Sequence, residues 1–399
     1  MNFIDILTRR RALRAVLCAC SAALVLASCG GRQGSASEAS WPEGIESASA
    51  APDTLTFHAT LLTIADCGRY VAVDIRNPWD STAFLGRYAL VHRDSLLPDE
   101  LPDGVRVIRT PVSRAAVFSA VHTSALAELG VIDRLSAVAD GRFFSPADTV
   151  SRLLAEGLVA DVGPVNAPSV EAIVASGAEV VLESPMQGSS PALAALGNMP
   201  VAAVECADYM ELSPIGRAEW ILLLGELFGR REEARTIFSD VIDRYNEIAY
   251  KAAGAESPKP RVLTDMEYSG VWYLPAGGSY QARMLKDAGA LWPWADTEGK
   301  GSLSLDLAAV LDKASDADVW LLRTFGYDVS AESMKRANPL YSRFKAFGSG
   351  EVYSCDSEKR PIFNDIAFHP ERVLAEYVAI FHPELMPGYE LRYFRKMSR

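Results

Sequence analysis

Residues Glu232 to Ala253 read EEARTIFSDVIDRYNEIAYKAA. Apolar side chains recur at Ala234, Ile237, Phe238, Val241, Ile242, Tyr245 and Ile248, the i, i+3, i+4, i+7 stripe of an amphipathic helix. Glu232 and Glu233 fall in the first turn and Lys251 in the last, where each complements the helix dipole. Gly229 is placed to end the preceding helix and Gly254 to end this one. At 1.5 Å rise per residue the stretch spans roughly 33 Å. It lies between two α/β segments of similar size, and no Gly/Ser-rich linker accompanies it. A helix so placed is a stiff spacer between two lobes. Taken alone it would serve equally as a covering helix in one large α/β domain; the flanking chain decides for two lobes.

The chain opens with Arg9, Arg10, Arg11 and Arg14, followed by the apolar run Ala15 to Ala27. That run is shorter than the roughly 20 residues a bilayer-spanning helix needs, so residues 1–28 read as an export signal. Thr8 to Arg14 also has the look of a twin-arginine signal. Leu26-Ala27-Ser28-Cys29 is similar to a bacterial lipobox, which implies lipidation of Cys29 and anchoring at the periplasmic face of a bacterial membrane. Residues 29–53, rich in Gly, Ser, Ala and Glu, cannot bury a core and form a flexible tether. The whole chain has 39 basic and 51 acidic residues; removing the four arginines and one aspartate of residues 1–28 leaves 35 against 50, net −15. An acidic chain without basic blocks excludes nucleic acid as a partner. Cys67, Cys206 and Cys355 make neither a disulfide framework nor a zinc spacing.

Residues 54–105 carry short β-prone runs at Leu55–Leu61, Tyr70–Ile75 and Tyr88–His92, separated by turn residues. They predict an antiparallel β extension of three or four strands. From Arg106 strands alternate with helices, which implies a mainly parallel sheet. Strands are expected at Val117–Ser119, Leu135–Ala139, Glu179–Glu183 and Val201–Glu205. One helix is expected from Ser213-Pro214 to Phe228, with Ser as N-cap and Pro at the first helical position. Beyond the spacer the pattern restarts, with strands at Arg261–Met266, Val271–Leu274, Asp318–Leu322 and Val352–Ser354, and a last helix at Pro370–Phe381. Ser169-Val170-Glu171 before one strand is echoed by Ser304-Leu305-Asp306 before another. The expected organisation is signal 1–28, tether 29–53, β extension 54–105, N-terminal α/β lobe 106–229, inter-lobe helix 230–254 and C-terminal α/β lobe 255–399. The fold class is α/β: two lobes with mainly parallel sheets joined by one long helix.

This order of segments resembles the substrate-binding lipoproteins of bacterial ABC importers, and within them the class whose two α/β lobes are joined by a single long helix. The resemblance rests on Val117-Phe118-Ser119, Ser124 to Gly130, Ser169 to Ile173, Glu179 to Leu182, the spacer helix and Trp272 to Gly289. It covers residues 106–385 and the lipobox; the β extension is a departure. The resemblance implies capture of an iron complex (a siderophore or haem) or cobalamin in the inter-lobe cleft, and delivery to an ABC permease–ATPase complex. It further implies that Glu171 and Asp306, one acid per lobe, dock on the permease. Two other readings are a surface-tethered binder that hands its ligand to an outer-membrane partner, and a tetrapyrrole chelatase-like enzyme.

In open α/β sheets ligands sit beyond the carboxyl ends of the strands. That rule nominates Ser119 and His122, Arg142 and Phe143, and Met186 and Gln187 in the first lobe. In the second it nominates Trp272, Tyr273, Ser279, Tyr280, Trp294, Arg323, Phe325 and Tyr327. Aromatic walls with few polar anchors suit large ring-rich ligands, and Arg142 and Arg323 are candidates to clamp carboxylates. The five histidines are too scattered to form a bare-metal site, so any metal is expected inside a chelate. No G-x-S-x-G elbow, P-loop or G-x-G-x-x-G occurs, and neither catalysis nor a resident cofactor is expected.

Overall fold

In the computed structural model of the chain, residues 53–145, 148–186 and 194–398 are described. The residues read as an export signal, those read as a tether apart from Asp53, Cys29 among them, and Gln187 lie outside them; Asp53 is not tether but part of the first strand. The extension is a five-stranded sheet of order β1-β2-β3-β4-β5, formed by Asp53–Thr54, Leu62–Asp66, Val71–Arg76, Phe84–His92 and Arg106–Thr110. All its pairings are antiparallel except β4 with β5. Alternation along β2 and β3 turns Leu62, Ile64, Val73 and Ile75 inward, into the same core as the first lobe.

The expected strand Leu55–Leu61 is instead a loop. The backbone N–H groups of Phe57, His58 and Ala59 donate to the buried Glu219 carboxylate at 2.8, 2.8 and 2.6 Å. Those of Thr60 and Leu61 donate to Glu211 at 2.8 and 3.0 Å. The oxygens of these two carboxyl groups take the donors a ladder would have used. The helix expected from Ser213 to Phe228 is two helices, Pro214–Ala218 and Ile221–Phe228. The break falls at Glu219 and Trp220, whose side chains are committed to this loop and to Glu211.

The first lobe is a parallel sheet of order β10-β9-β6-β7-β8, built from β6 (Ala115–Val117), β7 (Leu135–Val138), β8 (Ala160–Asp161), β9 (Val180–Glu183) and β10 (Ala202–Glu205). The second lobe contains β11 (Val262–Thr264), β12 (Glu267–Tyr268), β13 (Val271–Pro275), β14 (Ser302–Leu305), β15 (Val319–Thr324), β16 (Val352–Asp356) and β17 (Arg395–Lys396). Its main sheet has the order β11-β15-β16-β17, parallel except for the last pair. β12, β13 and β14 form a small antiparallel sheet beside it.

The spacer helix runs from Arg231 to Ala253. Ala234, Phe238 and Val241 belong to the first lobe's core, while Tyr245 and Ala252 belong to the second's. One helical stripe therefore serves two cores, and it changes core within a single turn. Gly229 ends the preceding helix at φ 68°, a left-handed conformation that glycine adopts without steric cost. Gly254 ends the spacer at φ −87°, so no left-handed cap is formed there.

Candidate functional site

Between the lobes lies a cavity of about 410 Å³. Its first wall is the helix Ala120–Glu128, which presents Ala120, Thr123, Ser124 and Ala127, together with Phe143 to Ser145 and Asp148. Its second wall comprises Phe325, Ser357, Glu358, Lys359, Phe363 and Asn364. These residues follow the carboxyl ends of β6, β7, β15 and β16, where loops leave the parallel sheets. Two exposed phenylalanines meet across the gap. Phe143 of the first lobe and Phe325 of the second stand edge to face, with ring centroids 5.8 Å apart. The Arg142 guanidinium lies 4.7 Å from the centroid of Phe143. Phe143, Phe325 and Arg142, nominated separately from sequence, are thus brought together.

Both arginines nominated as clamps already hold aspartates. Arg323 donates from Nε and Nη2 to the two carboxylate oxygens of Asp265, at 2.8 and 2.5 Å, and from Nη1 to Gln281. A guanidinium this buried needs an anion, so Arg323 is spent inside the second lobe rather than free for a ligand carboxylate. Burial works against its charge, but Asp265 outweighs it and raises its pKa. Arg142 pairs with Asp140 at 3.3 Å. Asp140 and Asp265 both take left-handed backbone, φ 50° and 59°, which aspartate tolerates better than most residues.

Behind the cavity a buried polar chain joins the lobes. His122 Nε2 lies 3.2 Å from Asp208. Arg217 donates from Nε to Asp208 at 2.8 Å and from Nη1 to the Tyr280 hydroxyl of the second lobe at 2.5 Å. Burial penalises the Asp208 carboxylate, but Arg217 and His122 outweigh the penalty and lower its pKa. A second tie joins Glu128 of the first lobe to His369 of the second. His369 Nε2 meets Glu128 at 2.5 Å and Nδ1 meets Glu371 at 3.0 Å. Burial opposes the imidazolium, yet these two carboxylates prevail and raise the His369 pKa to about 9.

The remaining nominated residues divide by burial. Trp272 is 0% exposed, stacks on Trp320 and donates to the Thr264 carbonyl at 2.9 Å. It is core, because on β13 it points into the second lobe while its neighbour Tyr273 points out. Trp294 is buried against Trp292. Ser279 is a buried N-cap that accepts from Ala282 N–H, and Ser119 caps Ala120–Glu128. His122 and Tyr280 lie behind the cavity in the polar chain described above. Met186, Tyr273 and Tyr327 are exposed but do not line the cavity. Ser357 to Lys359, Phe363 and Asn364 were not nominated, although the carboxyl-end rule reaches them directly once β16 is followed past Ser354. Among the described residues no group of three or more His, Cys, Asp or Glu is placed to hold a metal ion. Nor is any helix among them long and apolar enough to cross a membrane.

Two α/β lobes, one long helix between them and a cleft at the carboxyl ends of both sheets define a two-lobed substrate-binding protein. The chain belongs to the periplasmic binding protein family, which matches residues 121–359. An uncharacterized lipoprotein of Methanocaldococcus jannaschii is 25% identical over 324 residues, 78% of this chain and 76% of that protein. A periplasmic haem-binding protein from Pseudomonas aeruginosa shares the fold with a TM-score of 0.59 at 16% identity, over 72% of this chain and 99% of that one. An ABC-type Fe3+-hydroxamate transport system structure from Saccharomonospora viridis has a TM-score of 0.53 at 18% identity, over 70% and 94%. The β extension precedes the family's matched residues.

Proposed function

We propose that this chain is the substrate-binding component of an ABC importer and carries a metal chelate or corrinoid in the inter-lobe cleft to its permease, without altering it chemically. The observation that carries the reading is the Phe143–Phe325 pair, one ring from each lobe, over a cavity ringed by hydroxyl and amide side chains. Aromatic walls with a few polar anchors are how proteins hold ring-rich small molecules. The ligands named for the haem-binding and Fe3+-hydroxamate neighbours belong to the same chemical range. Binding is tested by titrating the protein with haem, ferric siderophores and cobalamin. In the variant F143A/F325A the affinity for whichever complex binds should fall by about 2–4 kcal/mol. An unchanged dissociation constant in the folded double variant places the ligand elsewhere.

The importer reading also places the protein on the outer side of a membrane, held by a lipid on Cys29. The lipoprotein relative and the sequence Leu26-Ala27-Ser28-Cys29 support this. Cys29→Ala should move the protein from the membrane fraction to the soluble exported fraction. If it sediments as before, the anchor is not at Cys29.

A further inference from the structure

The charges around the cavity are unequal in a way that bears on what can enter it. Each cation there is already paired. Arg142 holds Asp140 at 3.3 Å, Lys359 holds Asp328 at 2.9 Å and Asp356 at 3.1 Å, Arg360 reaches Asp328 at 3.5 Å, and Arg323 grips Asp265 through two bonds. Two lining carboxylates have no ion-pair partner among the described residues. Among the described residues the Asp148 side chain accepts the Val150 N–H at 2.9 Å, as the N-cap of Thr149–Ala155. Glu358 stands half-buried beside Gly326. The internal residues outside the description, 146–147 and 187–193, contain no ionisable side chain, so they cannot reverse the balance.

The apolar part of the lining acts in the same direction. Aromatic rings carry a negative face, which attracts cations and offers nothing to an anion placed over it. Phe143, Phe325 and Phe363 are each more than two-fifths exposed, and all three line the cavity; Arg142 and Arg323 already lie over Phe143 and Phe363, 4.7 and 5.6 Å from the ring centroids. Ser124, Ser145 and Asn364 add neutral polar groups suited to amide, hydroxamate or hydroxyl oxygens, while Thr123 and Ser357 donate their own hydroxyls to the Ala120 and Thr324 carbonyls. Beyond the cleft, the chain's net charge of −12 repels polyanions during approach.

We infer that the cleft selects a metal complex carrying no net negative charge, neutral or cationic, over anionic complexes such as the polyanionic ferric tricatecholates or the dicarboxylate haem. A polyanion would have to compete with Asp140 for the exposed Arg142, or with Asp328 and Asp356 for Lys359, while lying near Asp148 and Glu358. A neutral or cationic complex leaves those pairs intact and meets the unpaired carboxylates favourably. This inference rests on the chelate-binding reading above and narrows it to one class of ligand.

The test is calorimetric titration of the full chain with four probes at matched ionic strength. They are a linear ferric trihydroxamate bearing a free ammonium group, cyanocobalamin, a ferric tricatecholate and haem. One of the first two should bind at least about tenfold more tightly than either anionic probe. Glu358→Lys and Glu358→Gln, each checked for an unchanged melting temperature, should narrow that preference, the lysine variant more. Asp148→Ser keeps the helix cap while removing the charge, and should act in the same direction. If the tricatecholate or haem binds most tightly, the charge selection is wrong while the chelate-binding reading stands. If no probe binds, both fall. A preference that survives all three substitutions also overturns the assignment, since the unpaired carboxylates would then not be its source.

Discussion

Asp306 is the N-cap of the helix Leu307–Ala314, and its carboxylate accepts the Ala309 N–H at 2.8 Å. Its structural counterpart in the first lobe is Ser169, the N-cap of Val170–Ala175. The echo between Ser169-Val170-Glu171 and Ser304-Leu305-Asp306 is therefore offset by two residues, because Ser304 and Leu305 are spent on β14. Glu171 lies one turn-position inside its helix, exposed, and its partner by position is Ala308. The two acids thus have different local roles. Asp306→Ala removes a cap and should cost about 1 kcal/mol in urea unfolding, whereas Glu171→Ala should cost only a few tenths through the helix dipole. Docking on a permease, which the family resemblance implies for both, makes a separate prediction. The double variant should bind ligand normally yet transport it slowly in reconstituted vesicles, and normal transport would leave both as helix-terminal residues only. At this scale sequence reasoning anticipated that Phe143, Phe325 and Arg142 stand together beside the cleft, because a loop residue after a parallel strand has few places to go. Trp272, Ser279 and Tyr280 are instead buried away from the cavity lining, because β13 is antiparallel in a side sheet and the carboxyl-end rule does not govern it.

The elements were legible where periodicity is strong. The spacer helix, the final helix Pro370–Phe381 and the parallel strands of both lobes stand within a few residues of expectation. Leu55–Leu61 was not legible. Its β-prone composition is overridden by Glu211 and Glu219, some 150 residues away, and no local pattern reports such a partner. A similar long-range contact sets how helices from opposite lobes meet. Ala120–Glu128 ends at Glu128, Pro370–Phe381 begins just after His369, and the two side chains join them. The pKa of His369 is raised from 6.5 to about 9. The bound proton therefore stabilises the folded state fully below pH 6.5, and that contribution is lost as the pH rises through 9. Other groups also titrate, so the informative quantity is a difference between proteins. Between pH 6.5 and 9 the wild type should lose on the order of 2 kcal/mol more stability than Glu128→Gln. Parallel stability–pH curves for the two proteins would show that the pair contributes nothing.

At the scale of the whole molecule the connections between lobes among the described residues include the spacer helix, the Phe143–Phe325 pair, the packing of Ala367 and Phe368 into the first lobe's core, the buried polar chain from His122 to Tyr280, and the Glu128–His369 tie. The last two place charged and polar groups across an internal boundary, where the geometry of each depends on both lobes being folded and correctly set. The extension adds to one side only, since its apolar face and its two carboxylate anchors all belong to the first lobe.

The spacer changes core between Val241 and Tyr245, roughly halfway along its length. If either lobe unfolded by itself, it would strip the packing from half of the helix. What remained would be about a dozen residues, the length at which an isolated helix is marginal in water. The surviving lobe would then lose the anchored end of its own covering helix. Differential scanning calorimetry should accordingly show a single endotherm, with calorimetric and van't Hoff enthalpies in agreement; two resolved peaks would mean that the lobes melt independently. The spacer in that case behaves less as a hinge than as a shared rivet, and neither lobe keeps a melting point of its own.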